Sequence, residues 1–173
     1  MGRISAQILA RFGSSGRVYH AATHERGPFE EEATMKQVLQ ALLCFVCAAH
    51  VVIGAGLNLA PGVPPVMAGI YGATVEWTPQ FTYILKPLGA FMLTVGLLAG
   101  IAATNPARHV AVVYAVAALF VIRSAQRVIF ADETLQAFGI TLARDVAVAA
   151  FFLALALVLV VLGRRVSAAA PVR

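Results

Sequence analysis

Charged residues are scarce in this chain. Asp, Glu, Lys and Arg make up 12% of its 173 residues, whereas hydrophobic residues make up 60%. A soluble domain usually carries about 25% charged residues, so a soluble fold of this length could not cover so much apolar surface. Lipid must therefore be the solvent for most of the chain.

Cysteine is equally scarce, and the two that occur are Cys44 and Cys47. Both fall inside an apolar run, so a disulfide framework is not indicated. Their CxxC spacing, followed by His50, is compatible with a redox pair or with a metal or haem site. A redox pair works best at an accessible helix N-terminus, and a zinc site needs four ligands. We therefore interpret both cysteines as small packing residues and keep the redox and metal readings as alternatives.

A dense basic patch is also missing. The net charge of +5 comes from residues spread between and beside the apolar runs. That distribution encodes membrane topology, and it does not favour nucleic acid as a partner.

The chain has four apolar segments instead, at residues 37–57, 81–103, 109–130 and 142–163. Each is close to the ~20 residues that a helix needs to cross ~30 Å of hydrocarbon. Backbone groups in lipid must be hydrogen-bonded internally, which favours helices. We predict an all-α fold, an antiparallel bundle of four transmembrane helices within residues 35–163.

Polar segments flank this bundle. Residues 1–34 predict a cytoplasmic N-terminal extension, partly disordered or forming a short helix, with a transit peptide or an overcalled start as alternatives. Residues 164–173 predict a short basic tail. Positive charges near the helix ends lie on one side, and acidic residues on the other: Lys36, Arg108, Arg164, Arg165 and Arg173 against Glu76, Asp132 and Glu133. The positive-inside rule places both termini in the cytoplasm, and the alanine- and valine-rich body suggests a bacterial inner membrane.

The longest link between spans covers residues 58–80. Three prolines near its start, Pro61, Pro64 and Pro65, argue against regular helix there. We expect residues 66–71 to lie on the membrane surface, with a segment that dips into the membrane as the alternative. The link at residues 131–139 carries two acidic residues.

Five polar side chains within the spans predict one layer near the outer boundary. Counted at ~1.5 Å per residue from the cytoplasmic helix ends, Lys86, Arg127 and Asp145 lie ~26–28 Å up. On the same count Arg123 and His50 lie ~21–22 Å up, about one turn deeper. Arg123 and Arg127 share a helical face. We expect the arginines either to snorkel to the headgroups or to pair with Asp145 inside the bundle.

Glycines mark one face of the second span, at Gly89, Gly96 and Gly100. The last two form a GxxxG motif, which allows a neighbouring helix to approach closely. We predict close packing within the bundle, with a homodimer face as the alternative. Pro87 on the same helix predicts a kink or the start of its regular part.

Three fragments resemble a known group: Lys86-Pro87-Leu88-Gly89-Ala90, Asn105-Pro106-Ala107-Arg108 and Arg123-x-x-Gln126-Arg127. They are similar to the BphX-like small four-helix bacterial membrane proteins and, more distantly, to the DoxX-like group. The resemblance covers residues 35–163. It implies a four-helix bundle with no established activity, whereas the DoxX-like group is linked with quinone and sulfur redox chemistry.

Three functions compete on this sequence. The lack of a soluble catalytic domain or a cofactor motif favours a non-catalytic accessory or scaffold protein, whose partners are membrane lipids and a second copy or a complex subunit. The first alternative is a small permease or binder of a lipophilic or anionic molecule, using Lys86, Arg123 and Arg127 balanced by Asp145 and His50. The second alternative is a quinone-linked redox protein. No cofactor is predicted, and quinone belongs to that second alternative alone.

Overall fold

The computed structural model describes residues 28–169, and this part of the chain forms six helices. They are α1 (Pro28–Leu59), α2 (Val63–Tyr71), α3 (Pro79–Thr104), α4 (Val110–Ile129), α5 (Ala131–Phe138) and α6 (Leu142–Ala169). Within that range, α1, α3, α4 and α6 are long and apolar enough to cross a membrane. The all-α fold with four spans is therefore confirmed. Residues 1–27 of the predicted extension lie outside the described residues, and residues 28–34 belong to α1.

The outer faces of the four spans are apolar. In each span only 17–28% of the most apolar stretch is buried inside the protein. Large side chains such as Val52, Phe91 and Ile129 are 70–71% exposed. Exposing such apolar surface to water would cost about 25 cal/mol per Å². Lipid tails can cover it, so the exposure fits a multi-pass membrane protein.

The two longer links contain helices that the sequence patterns did not predict. Pro64 and Pro65 lie in the first turn of α2, where a missing backbone N–H breaks no helical hydrogen bond. The link is irregular at residues 60–62, which include Pro61, as expected, whereas Pro64 and Pro65 permit a helix that begins at Val63. The acidic link likewise forms α5, which ends at Gly139 in the left-handed conformation.

The six helices repeat one order twice: a long helix, a short helix and a second long helix. Within each half the two long helices pack on each other, α1 on α3 and α4 on α6, and contacts between the halves are fewer. We call these the first pair and the second pair. The bundle therefore consists of two tight pairs, with two looser seams between them.

Close backbone approach holds the first pair together. A Cβ at Gly54 would lie 2.7 Å from the carbonyl oxygen of Gly89, and a Cβ at Gly96 would lie 2.8 Å from Val51 Cγ2. A Cβ at Gly100 would lie 3.0 Å from the sulfur of Cys47. The glycine face of α3 thus packs closely on α1 within the bundle. Helix α3 begins at Pro79 and includes Pro87, so its regular part does not start at the inner proline.

The second pair is joined by a buried hydroxyl. Ser124 Oγ lies 2.8 Å from the carbonyl oxygen of Phe120 in its own helix and 3.0 Å from that of Ala149 on α6, and its single hydrogen is shared between these two acceptors. Ser124 is 2% exposed. A hydrogen bond between helices is a common device for fixing spans in lipid, where few alternative partners exist.

One end of the bundle contains the beginning of α1 and the ends of α3 and α6. Gln40 Nε2 donates to the carbonyl oxygen of Ala103 at 3.0 Å, and Arg165 Nη1 lies 3.6 Å from the sulfur of Met35. We call this the termini end, and the end formed by α2 and α5 the cap end. The two pairs meet in a core weighted toward the termini end, which includes Leu39, Leu43, Ala99, Ala102, Ala103, Val113, Val116, Ala117, Phe120, Leu159 and Val166.

Candidate functional site

A cavity of about 660 Å³ lies between the two pairs, toward the cap end. All six helices contribute to its lining, with α2 and α5 closing it at the cap. Most of the lining is apolar or aromatic. The polar side chains on it are those of His50, Tyr71, Trp77, Arg123, Gln126, Arg127, Thr134 and Asp145. Its volume falls within the ~300–1,000 Å³ of small-molecule sites, which share this pattern of apolar walls and few polar groups.

An ion pair lies at the cap side of this cavity. Arg127 Nη1 donates to Asp145 Oδ1 at 2.6 Å, where Asp145 is fully buried and the Arg127 side chain is 19% exposed. The guanidinium carbon of Arg127 also lies 4.8 Å from the ring centroid of Tyr71 on α2. Arg127 therefore links α4 both to α6 and to the cap, and Asp145 compensates its charge.

Arg123 lies one helical turn further from the cap and has different surroundings. Its guanidinium carbon is 4.8 Å from the ring centroid of Phe152 on α6. It forms no ion pair with any residue of 33–168, the part of the chain whose side chains the structure describes. The charged residues on the cavity wall are Arg123, Arg127 and Asp145. Because Asp145 pairs with Arg127, the charge of Arg123 is the uncompensated one.

His50 reaches the same cavity from α1. It is 7% exposed, and its Nδ1 lies 2.9 Å from the carbonyl oxygen of Val46 one turn earlier. Its Nε2 is buried and has no hydrogen-bond partner among the described residues. Asp145 Oδ2 is likewise a buried side-chain atom with no hydrogen-bond partner among the described residues. Both atoms belong to residues of the cavity lining.

Two stacked phenylalanines connect His50 with Arg123. The ring centroid of Phe120 lies 6.0 Å from that of His50 and 5.5 Å from that of Phe152, with a tilt of 22° between the phenylalanines. Arg123 contacts the second ring of this stack, with its guanidinium carbon 4.8 Å from the Phe152 centroid. The imidazole and the guanidinium therefore contact the same aromatic wall.

Four of the five residues predicted as one layer line the cavity: His50, Arg123, Arg127 and Asp145. Lys86 does not, since its side chain is exposed and lies outside the lining. The cavity face of α3 carries Leu85 and Leu88, and Lys86 follows Leu85 by one residue, which turns it ~100° around the helix. Counting along the helix gives the height of Lys86 but not its face, so Lys86 does not belong to the group around the cavity.

The two cysteines are not part of the cavity lining. Both are free thiols, with Cys44 exposed on the outside of α1 and Cys47 packed at Gly100. Among the side chains that the structure describes, at residues 33–168, there is no group of three or more His, Cys, Asp or Glu placed to hold a metal ion.

Sequence reasoning missed two polar contacts that hold the site. Ser124 lies between the two arginines, and a lone hydroxyl in an apolar span was a signal that it bonds to a neighbouring helix. Arg144 Nη2 donates to the carbonyl oxygen of Ile70 at 2.7 Å, at the end of α2. An arginine at the start of a span ordinarily faces headgroups, so its role at the cap carried no signal in the sequence.

No family model, curated protein or solved structure matches this chain. The resemblance to BphX-like and DoxX-like proteins therefore stays a prediction, and the site has to be interpreted from its own geometry.

Proposed function

We propose that this protein is a membrane-embedded binder of a lipophilic molecule that carries an anionic or strongly accepting polar end. The observation that carries the proposal is Arg123, a cation without a carboxylate partner among the described residues, on the wall of a largely apolar cavity. An intramembrane arginine is costly to maintain and is normally paired or functional. Its guanidinium offers hydrogen-bond donors and no acceptor, so it selects acceptors and anions.

The position of the cavity between two similar halves supports the same proposal. In transporters built from two repeats, substrate sites lie at the interface of the repeats. Here α2 and α5 form the cap end and close the cavity on that side. Exposed lining residues such as Phe45 and Phe151, which are 60% and 58% exposed, face the surrounding lipid. A ligand that partitions into the bilayer therefore has a lateral route to the site.

We also propose the bacterial inner membrane as the location, with both termini in the cytoplasm. The positive-inside rule applied to Lys36, Arg108 and Arg165 supports the orientation, and the alanine- and valine-rich body supports the bacterial membrane. The accessory or scaffold role remains a prediction from the sequence, and no contact within the described residues favours it over binding.

The test uses Trp77, which is the single tryptophan of the chain and lines the cavity. A brominated myristate in the cavity should quench its fluorescence saturably, and unlabelled myristate should compete. Arg123→Leu should weaken binding about 10- to 100-fold, because a hydrogen bond to a charged group contributes about 1.5–3 kcal/mol.

Lys86→Leu is the matched control, since it also removes one cation from a span but lies outside the cavity. It should bind myristate as the unaltered protein does. Equal losses in both variants, or unaltered binding in Arg123→Leu with normal size-exclusion behaviour, would contradict the proposal.

A further inference from the structure

The buried imidazole of His50 sets a second requirement on the ligand. The Val46 carbonyl oxygen can only accept a hydrogen bond, so Nδ1 carries the proton of the neutral ring and donates it at 2.9 Å. Nε2 then presents a lone pair, and it has no partner among the described residues. His50 lines the cavity, so a ligand group that reaches this buried acceptor has to be a hydrogen-bond donor.

Arg123 makes the opposite demand at the same wall. It can donate but cannot accept, and it contacts Phe152, the ring stacked on the Phe120 neighbour of His50. Arg123 therefore requires a hydrogen-bond acceptor on the ligand, and His50 requires a donor on the same ligand. A plain fatty acid anion would satisfy Arg123 alone.

We infer that the ligand of this cavity carries a hydroxyl donor for His50 Nε2 close to the anionic or carbonyl oxygen that Arg123 binds. The inference rests on the proposed function and specifies its ligand class: an apolar chain or ring whose polar end combines an acid or carbonyl with a hydroxyl. The hydroxyl donates a hydrogen bond to Nε2, while the apolar body lies against the aromatic and aliphatic lining. No bond is made or broken in this step.

Competition against brominated myristate tests this class. The probes are myristate, its α-, β- and γ-hydroxy derivatives, and the corresponding methyl ethers, which keep the oxygen but lose the donor. At least one hydroxy derivative should bind about 5- to 10-fold more tightly than both its ether and plain myristate, the gain expected of one added hydrogen bond. His50→Phe keeps a ring beside Phe120 without the lone pair, and it should remove this preference, so that the hydroxy derivative, its ether and myristate bind this variant with equal affinity.

The outcomes separate the two proposals. Binding of myristate that depends on Arg123 but shows no preference for any hydroxy derivative overturns the present inference and leaves the proposed function intact. A preference that survives in His50→Phe overturns it as well. Absence of saturable binding by the unaltered protein overturns both. If His50→Phe does not fold, the ratio between hydroxy and ether probes in the unaltered protein decides alone.

Discussion

Replacing Asp145 by Asn should destabilise the protein severely, although the change removes only one charge. Asp145 is fully buried and accepts from Arg127 at 2.6 Å. Breaking a buried ion pair by removing one partner typically costs 3–5 kcal/mol, because the remaining charge is buried and uncompensated. Arg127 retains 19% exposure and can still contact the Tyr71 ring. We therefore expect the lower part of that range, about 3 kcal/mol.

Replacing both partners should be far milder than replacing either one. In Asp145→Leu combined with Arg127→Met, no charge is left buried, and apolar replacements of buried ion pairs are often neutral or stabilising. The double variant should recover most of the ~3 kcal/mol lost by Asp145→Asn. Asp145→Leu and Arg127→Met alone complete a cycle with the double variant and measure the coupling of the pair.

The assay is reversible unfolding of the purified protein in mixed micelles, monitored by Trp77 fluorescence and helical circular dichroism. A loss below about 1 kcal/mol in Asp145→Asn, the size measured for exposed pairs, would refute the reasoning. So would a double variant less stable than Asp145→Asn, since it would show that the charges stabilise the bundle beyond compensating each other.

Three further changes probe the packing of the pairs and of the cap. Gly54→Ala should destabilise by about 1–3 kcal/mol in the same assay, because its Cβ would meet α3 backbone atoms at 2.7–2.8 Å; Gly69→Ala, with nothing within 4 Å, is the control and should be neutral. Ser124→Ala should cost about 0.5–1.5 kcal/mol, and a neutral result would mean that its bond to α6 is not formed. Arg144→Met removes the 2.7 Å bond to Ile70 and should speed hydrogen exchange in α2, with α4 unchanged as the internal reference.

The four spans could be predicted because length and apolar composition suffice to define a helix in lipid. The two short helices could not be found in the same way. Helix α2 begins with prolines, which the patterns read as breakers, and α5 has two turns and an acidic start. Both helices are held by contacts with distant parts of the chain, such as Arg144 with Ile70.

The sequence predicted how far along each helix the site residues lie, but not which way their side chains point. Counting residues from the helix ends brought Arg127 and Asp145 to one level, and the structure joins them. The same count included Lys86, which lies outside the cavity. Height depends on the helix rise alone, whereas the direction of a side chain depends on which helix packs beside it. The pairing of α1 with α3, and of α4 with α6, was not contained in any local pattern.

The order of the helices along the chain has a consequence for how the protein is made. The first pair is complete in the nascent polypeptide before α4 has left the ribosome, and its glycine contacts need nothing from later residues. Ion pairing between Arg127 and Asp145 must wait until α6 follows. A translocon that releases the spans in sequence would thus release the first pair and then the second pair. The cavity between the two pairs would form only when α6 packs against α4.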